Sequence, residues 1–209
     1  MRLTVNTFLT IDGVMQGPGG VEEDTSGGFD RGGWLVPFSD PDMGQIVEGW
    51  FAKADAILLG RNTYQMMKTY WSQVTDPGNL VSAKLNGQPK YVVSGTLADP
   101  DWASTTVLSG DIVKEVSRLK EQPGGELQVH GSAMLARSLH EAGLVDEFRI
   151  LVFPVYLGKG KRLFSEGAAP SGFTLVDSRT TSTGAMYSAL TPTPFQAATV
   201  RVVDGKESA

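Results

Sequence analysis

Apolar and polar positions alternate from the first residues. Residues 2–11 read as a strand of period two, with Leu3, Val5 and Phe8 inward, and Asp12-Gly13 breaks it. Residues 13–39 then lose all periodicity. They hold eight glycines, Pro18 and Pro37, and the acids Glu22, Glu23, Asp24 and Asp30. Loops of this length are uncommon inside a domain and are usually functional or disordered. Trp34, Leu35, Val36 and Phe38 give its far end something to bury. Two readings stand: a mobile lid over a site, or a plain surface loop. Periodicity returns at Asp40, which caps a helix whose first turn holds Pro41. Met43, Ile46, Val47, Trp50, Phe51 and Ala54 form its apolar stripe, which reads as core.

Short apolar runs then alternate with helical patterns. Residues 55–60 are a buried strand, and Arg61 opens a helix to about Trp71. Residues 72–89 are polar and read as loops. Strands follow at 91–94 and 105–108. Asp111 caps a helix with Ile112, Val113, Val116 and Leu119 inward. In 126–130 Leu127 and Val129 carry the strand's apolar face. Gly131 makes a tight turn, Ser132 caps the next helix through its hydroxyl, Leu135, Leu139 and Ala142 share a face, and Gly143 stops it. A strand at 146–153 ends at Pro154. Residues 173–180 and 185–190 suggest a hairpin through Ser182-Thr183-Gly184, 199–203 a last edge strand, and 205–209 a frayed tail. The fold class is therefore α/β: a three-layer sandwich, its central sheet mostly parallel, with an antiparallel C-terminal hairpin. One domain spans 1–192, with the 13–39 loop inside it, and 193–209 is an edge strand and tail.

Composition narrows the chemistry. A formal net charge of -5 argues against a nucleic-acid surface, and the absence of cysteine removes disulfides, thiolate metal sites and thiol nucleophiles. Two histidines ten residues apart make no metal site. The N-terminus lacks the basic start and apolar core of a signal peptide, and no run reaches the ~18–20 apolar residues of a membrane span, so a cytoplasmic location is expected. In a parallel sheet, ligands gather outside the carboxyl ends of the strands. Three of those ends suit an anion: Gly60-Arg61-Asn62-Thr63, Ser94-Gly95-Thr96 and Gly131-Ser132-Ala133.

These pieces, with Thr10-Ile-Asp-Gly13, Leu59-Gly-Arg-Asn-Thr-Tyr64, Val93-Ser-Gly95, Val129-His-Gly-Ser-Ala133 and Leu144-Val-Asp-Glu147 running to Pro154-Val-Tyr-Leu-Gly-Lys-Gly160, resemble the dihydrofolate-reductase-like superfamily over roughly residues 2–192. The nearest branch is similar to the reductase domain of the bifunctional riboflavin-biosynthesis deaminase-reductase, here as a stand-alone relative. The resemblance implies a reductase using NADPH. It implies that Gly60, Arg61, Asn62 and Thr63 hold cofactor phosphate, that Ser94, Gly95 and Thr96 meet the adenosine end, and that Gly131, Ser132 and Ala133 meet the pyrophosphate and nicotinamide. Many relatives carry a basic residue just after Val93. Ser94 stands there in this chain, which leaves NADH open beside NADPH.

A reductase must align the nicotinamide, exclude water and deliver a proton. The carboxylates placed for the proton are Asp12, at the mouth of the first strand, and Glu48, with Asp42 beside it, on the flanks of the first helix's apolar stripe. Each has a bland alternative, a turn for Asp12 and a solvated face for the other two. Asn6, Phe8, Trp34 and Tyr156 are the candidate substrate contacts, Trp34 as an exposed ring on the lid. His130 reads as a histidine hydrogen-bonded at a strand end. Lys159, Lys161 and Arg162 form a basic cluster that either holds a substrate phosphate or is simply solvated. The expected partner is a small heterocycle, a pterin-like imine or a 5-amino-6-(ribosylamino)uracil-type pyrimidine, with no nucleic acid, membrane or metal. Homodimerisation follows by likeness only. The rival reading is a non-catalytic, nucleotide-binding dimer of the same fold. A hydrolase has no Gly-x-Ser-x-Gly elbow or metal-spaced histidines to support it, and a chain without cysteine has no zinc deaminase ligands of the expected kind.

Overall fold

The structure is a computed structural model that describes residues 1–164, 166–203 and 206–208. An eight-stranded sheet runs through it in the order β4-β3-β2-β5-β1-β6-β8-β7. Its strands are β1 (Arg2–Thr10), β2 (Ala54–Gly60), β3 (Lys90–Val93), β4 (Thr105–Leu108), β5 (Glu126–His130), β6 (Glu147–Phe153), β7 (Ser171–Thr180) and β8 (Met186–Pro194). Strands β1 to β6 pair in parallel, while β8 runs antiparallel to both β6 and β7. The helices are α1 (Pro41–Ala52), α2 (Arg61–Trp71), α3 (Leu80–Gly87), α4 (Ile112–Glu121) and α5 (Ala133–Glu141). This is the expected three-layer, dihydrofolate-reductase-like sandwich.

β1 lies between β5 and β6, so both of its edges are paired, and apolar clusters cover its two faces. Leu3, Val5 and Leu9 join the core under α4 and α5. Phe8 packs with the α1-side cluster instead, because an even-numbered position in a period-two strand looks the other way from Leu3 and Val5. The inward set of the sequence reading is corrected there.

Other boundaries move for local reasons. Ala54 belongs to β2 rather than to the helix stripe. α3 replaces the expected loop: Asn79 caps it by accepting from Ser82 N at 2.9 Å, and it buries little beyond Leu85, too weak a stripe to read. Val113 and Ala142 are exposed, so the inner faces of α4 and α5 are narrower than expected. β9 (Arg201–Val203) does not extend the main sheet. It pairs only with β10 (Lys206–Ser208), inside the expected tail, whose Gly205 and Ala209 lie outside the described residues. No helix among the described residues is long and apolar enough to cross a membrane.

The 13–39 segment is packed down. Val14, Phe29, Trp34 and Leu35 are buried against Trp50, Leu151 and Phe153. Gln16 Nε2 donates to the Asp24 and Ser26 carbonyls at 3.1 and 3.0 Å, and Gln16 Oε1 accepts from Lys161 N at 3.0 Å. At the far end, Asp40 and Asp42 take hydrogen bonds from Thr183 and Ser182, tying α1 to the β7–β8 turn.

Candidate functional site

β3, β2 and β5 are neighbours in the sheet, so their carboxyl ends open side by side. The three phosphate-ready turns therefore meet. Arg61 Nη1 donates to Thr96 Oγ1 at 2.6 Å, joining the first turn to the second. A β-carbon on Gly60 would run into Ser132 Oγ, and one on Gly131 would lie 3.2 Å from Thr63 Cγ2, so the first turn also presses on the third. Ser94 Oγ accepts from Thr96 N at 3.1 Å and Leu97 N at 2.9 Å, which shapes the middle turn. Asn62 and Gly95 are exposed, and Ala133 is half-buried at the head of α5.

The helix starts differ in a telling way. Side chains cap α1 (Asp40), α3 (Asn79) and α4 (Asp111). α2 and α5, which open at the converging turns, have no side-chain cap. Their first-turn N–H groups and positive dipole ends face the same cleft, a ready environment for phosphate. The Ser132 hydroxyl does not cap α5, contrary to the sequence reading. Ser132 sits at φ 64°, ψ 82°, after Gly131 at φ 72°. A left-handed non-glycine residue costs about 1–2 kcal/mol. Glycine there would give back ~0.5–1 kcal/mol through its freer unfolded chain. Ser132→Gly is thus expected to stabilise the ligand-free protein by about 0.5–1 kcal/mol in urea melts, and Ser132→Ala to gain nothing.

The two candidate proton donors do not fit that role. Asp12 is a latch: it accepts from Thr10 Oγ1 at 2.6 Å, Gly158 N at 2.9 Å and Leu157 N at 3.2 Å, with Arg162 at 3.3 Å. Burial works to raise its pKa, but the hydrogen bonds from Thr10, Gly158 and Leu157 outweigh it and hold the carboxyl below its ordinary value. A general acid near neutral pH needs the opposite shift. Glu48 is exposed on the outer face of α1. Asp42 is engaged by Ser182. Trp34, expected as an exposed stacking ring, is buried: its indole N–H donates to the Gln16 carbonyl at 2.8 Å and its ring meets Phe153 edge-on at 5.7 Å. Tyr156 stays exposed beside Gly158. Phe8 is half-buried between Trp50 and Phe153, at 5.8 and 6.0 Å. The basic cluster is paired already: Lys159 with Asp30 and Lys161 with Asp24 of the 13–39 segment, each at 2.7 Å, and Arg162 with Asp12.

Sequence reasoning missed the polar face of β5 and β6. Glu126, Gln128 and His130 are buried toward α1, as are Glu147 and Arg149 beyond β1. Arg149 donates to Glu126 at 2.6 and 2.8 Å and to Glu147 at 2.6 Å. Burial opposes charge on Glu126, yet Arg149 and Gln128 hold its carboxyl below its ordinary pKa. Gln128 Nε2 donates to Glu126 at 2.6 Å and to the Trp50 carbonyl at 2.7 Å. Its oxygen must then accept from His130 Nε2, 2.9 Å away, which fixes the imidazole as the Nε2–H tautomer. His130 also stacks on Phe51 at 4.4 Å. Burial, with help from the Arg149 charge, pushes its pKa down to about 3, so it is neutral. The available signal was a strand with acid, amide and imidazole on one face, opposite another bearing Glu and Arg.

Comparison with known proteins bears on the family and the fold. The family model described as RibD C-terminal domain matches residues 2–187. The uncharacterized protein YyaP of Bacillus subtilis (strain 168) is 31% identical over 185 residues, covering 88% of this chain and 90% of that protein. A candidate riboflavin biosynthesis protein of Shewanella sp. PV-4 superposes with a TM-score of 0.69 at 22% identity, covering 92% of this chain and 99% of that one. Dihydrofolate reductase from Enterococcus faecalis, solved with NADP(H), gives a TM-score of 0.55 at 15% identity, covering 91% and 96%.

Proposed function

We propose, for a chain that belongs to the RibD C-terminal domain family, the activity of a reductase that uses a reduced nicotinamide dinucleotide, NADPH in the first instance. One observation carries this reading: α2 and α5, the two α-helices without side-chain caps, open at turns that touch each other beside Arg61, whose guanidinium donates to the Thr96 hydroxyl. Arg61 and the α2 amides suit a phosphate, and the Gly131-Ser132-Ala133 turn, free of β-carbon at Gly131, suits the pyrophosphate. That dihydrofolate reductase of the same fold binds NADP(H) supports the choice.

When bound, the nicotinamide supplies the hydride. The acceptor proposed is a C=N bond of a pterin-like or aminopyrimidine compound. Its reduction would place a hydride on carbon and a proton on nitrogen. The chain's own part is to align the two rings and keep bulk water away. With Asp12, Asp42 and Glu48 set aside, the proton is assigned to a water admitted at the cleft. Homodimer formation, expected by likeness, and a cytoplasmic location remain part of the proposal.

The test is thermal stability with added NADPH, then with NADH. At ~100 times its dissociation constant a ligand stabilises by about 2.7 kcal/mol, which for a chain of this size is a rise of roughly 5–10 °C. Arg61→Ala is expected to lower NADPH affinity by about tenfold, the loss of one charge-assisted phosphate contact. No rise with either dinucleotide would sink the cofactor assignment. Tight binding without oxidation of NADPH by any dihydropterin or aminopyrimidine would favour the non-catalytic alternative.

A further inference from the structure

Asn6 sits in the middle of β1, in register with His130 of β5 and Arg149 of β6. In a parallel sheet these positions share a face, and His130 shows which: it stacks on Phe51 of α1. Asn6 is 2% exposed. Its Nδ2 donates to Thr4 Oγ1 at 3.1 Å, but its Oδ1 is buried with no partner. An orphaned carbonyl of this kind costs stability until a donor reaches it. Two residues along the same face stands Phe8, with Trp50 and Phe153 around it. One strand away, the residue after His130 is Gly131, the start of the nucleotide turn. A hydrogen-bond acceptor thus waits beside an aromatic wall, next to the proposed dinucleotide site.

The cations around it tell the complementary story. Lys159, Lys161 and Arg162 are held by Asp30, Asp24 and Asp12. Arg149 is enclosed by two carboxylates, and Arg31 is bonded to the Leu157 carbonyl and Asp30. Arg61 belongs to the dinucleotide side. None of these is left over for a phosphate on the acceptor.

We infer that the hydride acceptor is an uncharged, flat heterocycle that donates a ring N–H to Asn6 Oδ1, and that a ribose phosphate is no part of what the site reads. The inference rests on the reductase reading above and chooses between its two substrate types. It also gives the orphaned oxygen its partner. Uncharged polar recognition of this kind discriminates by leaving the protein group unpaired when the donor is missing.

The test is calorimetric binding to protein loaded with NADP+, which cannot turn over. The probes are 7,8-dihydropterin, the same ring methylated at N3 or, separately, at N8, and the aminouracil riboside with and without its phosphate. Dihydropterin is expected to bind, and one of the two methylations to weaken binding by about tenfold, one lost buried hydrogen bond. In Asn6→Leu that penalty should vanish, while NADPH still raises the melting temperature as in the unaltered protein. The variant loses the Thr4 hydrogen bond along with the unpaired carbonyl, so its melting is followed alongside: a cooperative transition that NADPH still raises shows that lost discrimination is not unfolding. An equal methylation penalty in both proteins overturns the inference. So does a phosphorylated riboside that binds more than about tenfold tighter than its dephosphorylated form, or no ring binding by a protein that NADPH stabilises. If NADPH itself fails to stabilise the protein, the reductase reading falls first, a result separate from these.

Discussion

Arg149→Met is expected to destabilise the protein by about 3–5 kcal/mol, the usual result of removing one partner from a buried ion pair. Arg149 is 3% exposed and donates to Glu126 and Glu147, both under 10% exposed. Without the guanidinium, two carboxylates remain in the interior with only Arg2, at 2.8 Å from Glu147, and the more distant charge of Lys53 acting on Glu126. They must then take up protons or open the sheet to water. Replacing all three by methionine, leucine and glutamine at 149, 126 and 147 is expected to recover most of the loss, because the penalty comes from the unpaired charges and not from absence of the bridge. Urea unfolding of the parent, single and triple variants measures both. A single variant within about 1 kcal/mol of the parent would mean that water already reaches the trio.

The second large effect is acid sensitivity through His130. Its pKa is about 3 when folded, against an ordinary 6.5, because burial beside Arg149 penalises the imidazolium. The unfolded chain therefore binds a proton between pH 6.5 and 3 that the folded chain refuses. Stability then rises with pH in this window and falls as the pH drops through it. From pH 7 to pH 5 the expected loss is about 2 kcal/mol, or roughly 4–8 °C. Glu126 adds to the loss only lower, since its depressed carboxyl contributes stability above its ordinary value of 4.5 and loses it below. The same holds for Asp40, where the Met43 amide brings the pKa down to about 2. His140 is also shifted down by burial and acts in the same sense. Melting curves of the parent and of His130→Gln at pH 7 and pH 5 isolate the effect. The variant should keep only the His140 share of the slope, and an unchanged slope would mean that His130 is not the buried base.

The order of elements was legible because each depends on neighbours in the chain. Asp40-Pro41 starts a helix by capping and a fixed φ, the apolar runs at 55–60 and 91–94 have the length and composition of buried strands, and glycine marks the turn at 131. The three phosphate-ready turns were found for the same reason: a glycine-bearing turn straight after a strand is a local feature. Roles that depend on what lies opposite were not legible. Asp12 reads the same as an acid or as a latch until Leu157 and Gly158 are seen to bond it. Lys159 and Lys161 read equally as a phosphate site or a solvated turn until Asp30 and Asp24, over a hundred residues earlier, are found against them. Trp34 reads as exposed in a glycine-rich stretch, and only the packing of that stretch onto Phe153 buries it.

By itself, then, the sequence determined the strands of the sheet, that the sheet is mostly parallel, and the helices with a strong stripe, since periodicity and turn chemistry act over a few residues; α3 and the bare start of α5 came only with the fold. The tertiary structure decided what those groups face. It brought Gly60, Arg61, Thr96 and Gly131 together at one edge, and it spent the acidic lid on the basic turn. It also buried Glu126, Arg149 and His130 in one polar row, with the Asn6 carbonyl alongside and unpaired. Burial and charge pairing are sums over residues distant in the chain, and only the folded arrangement says which of them meet.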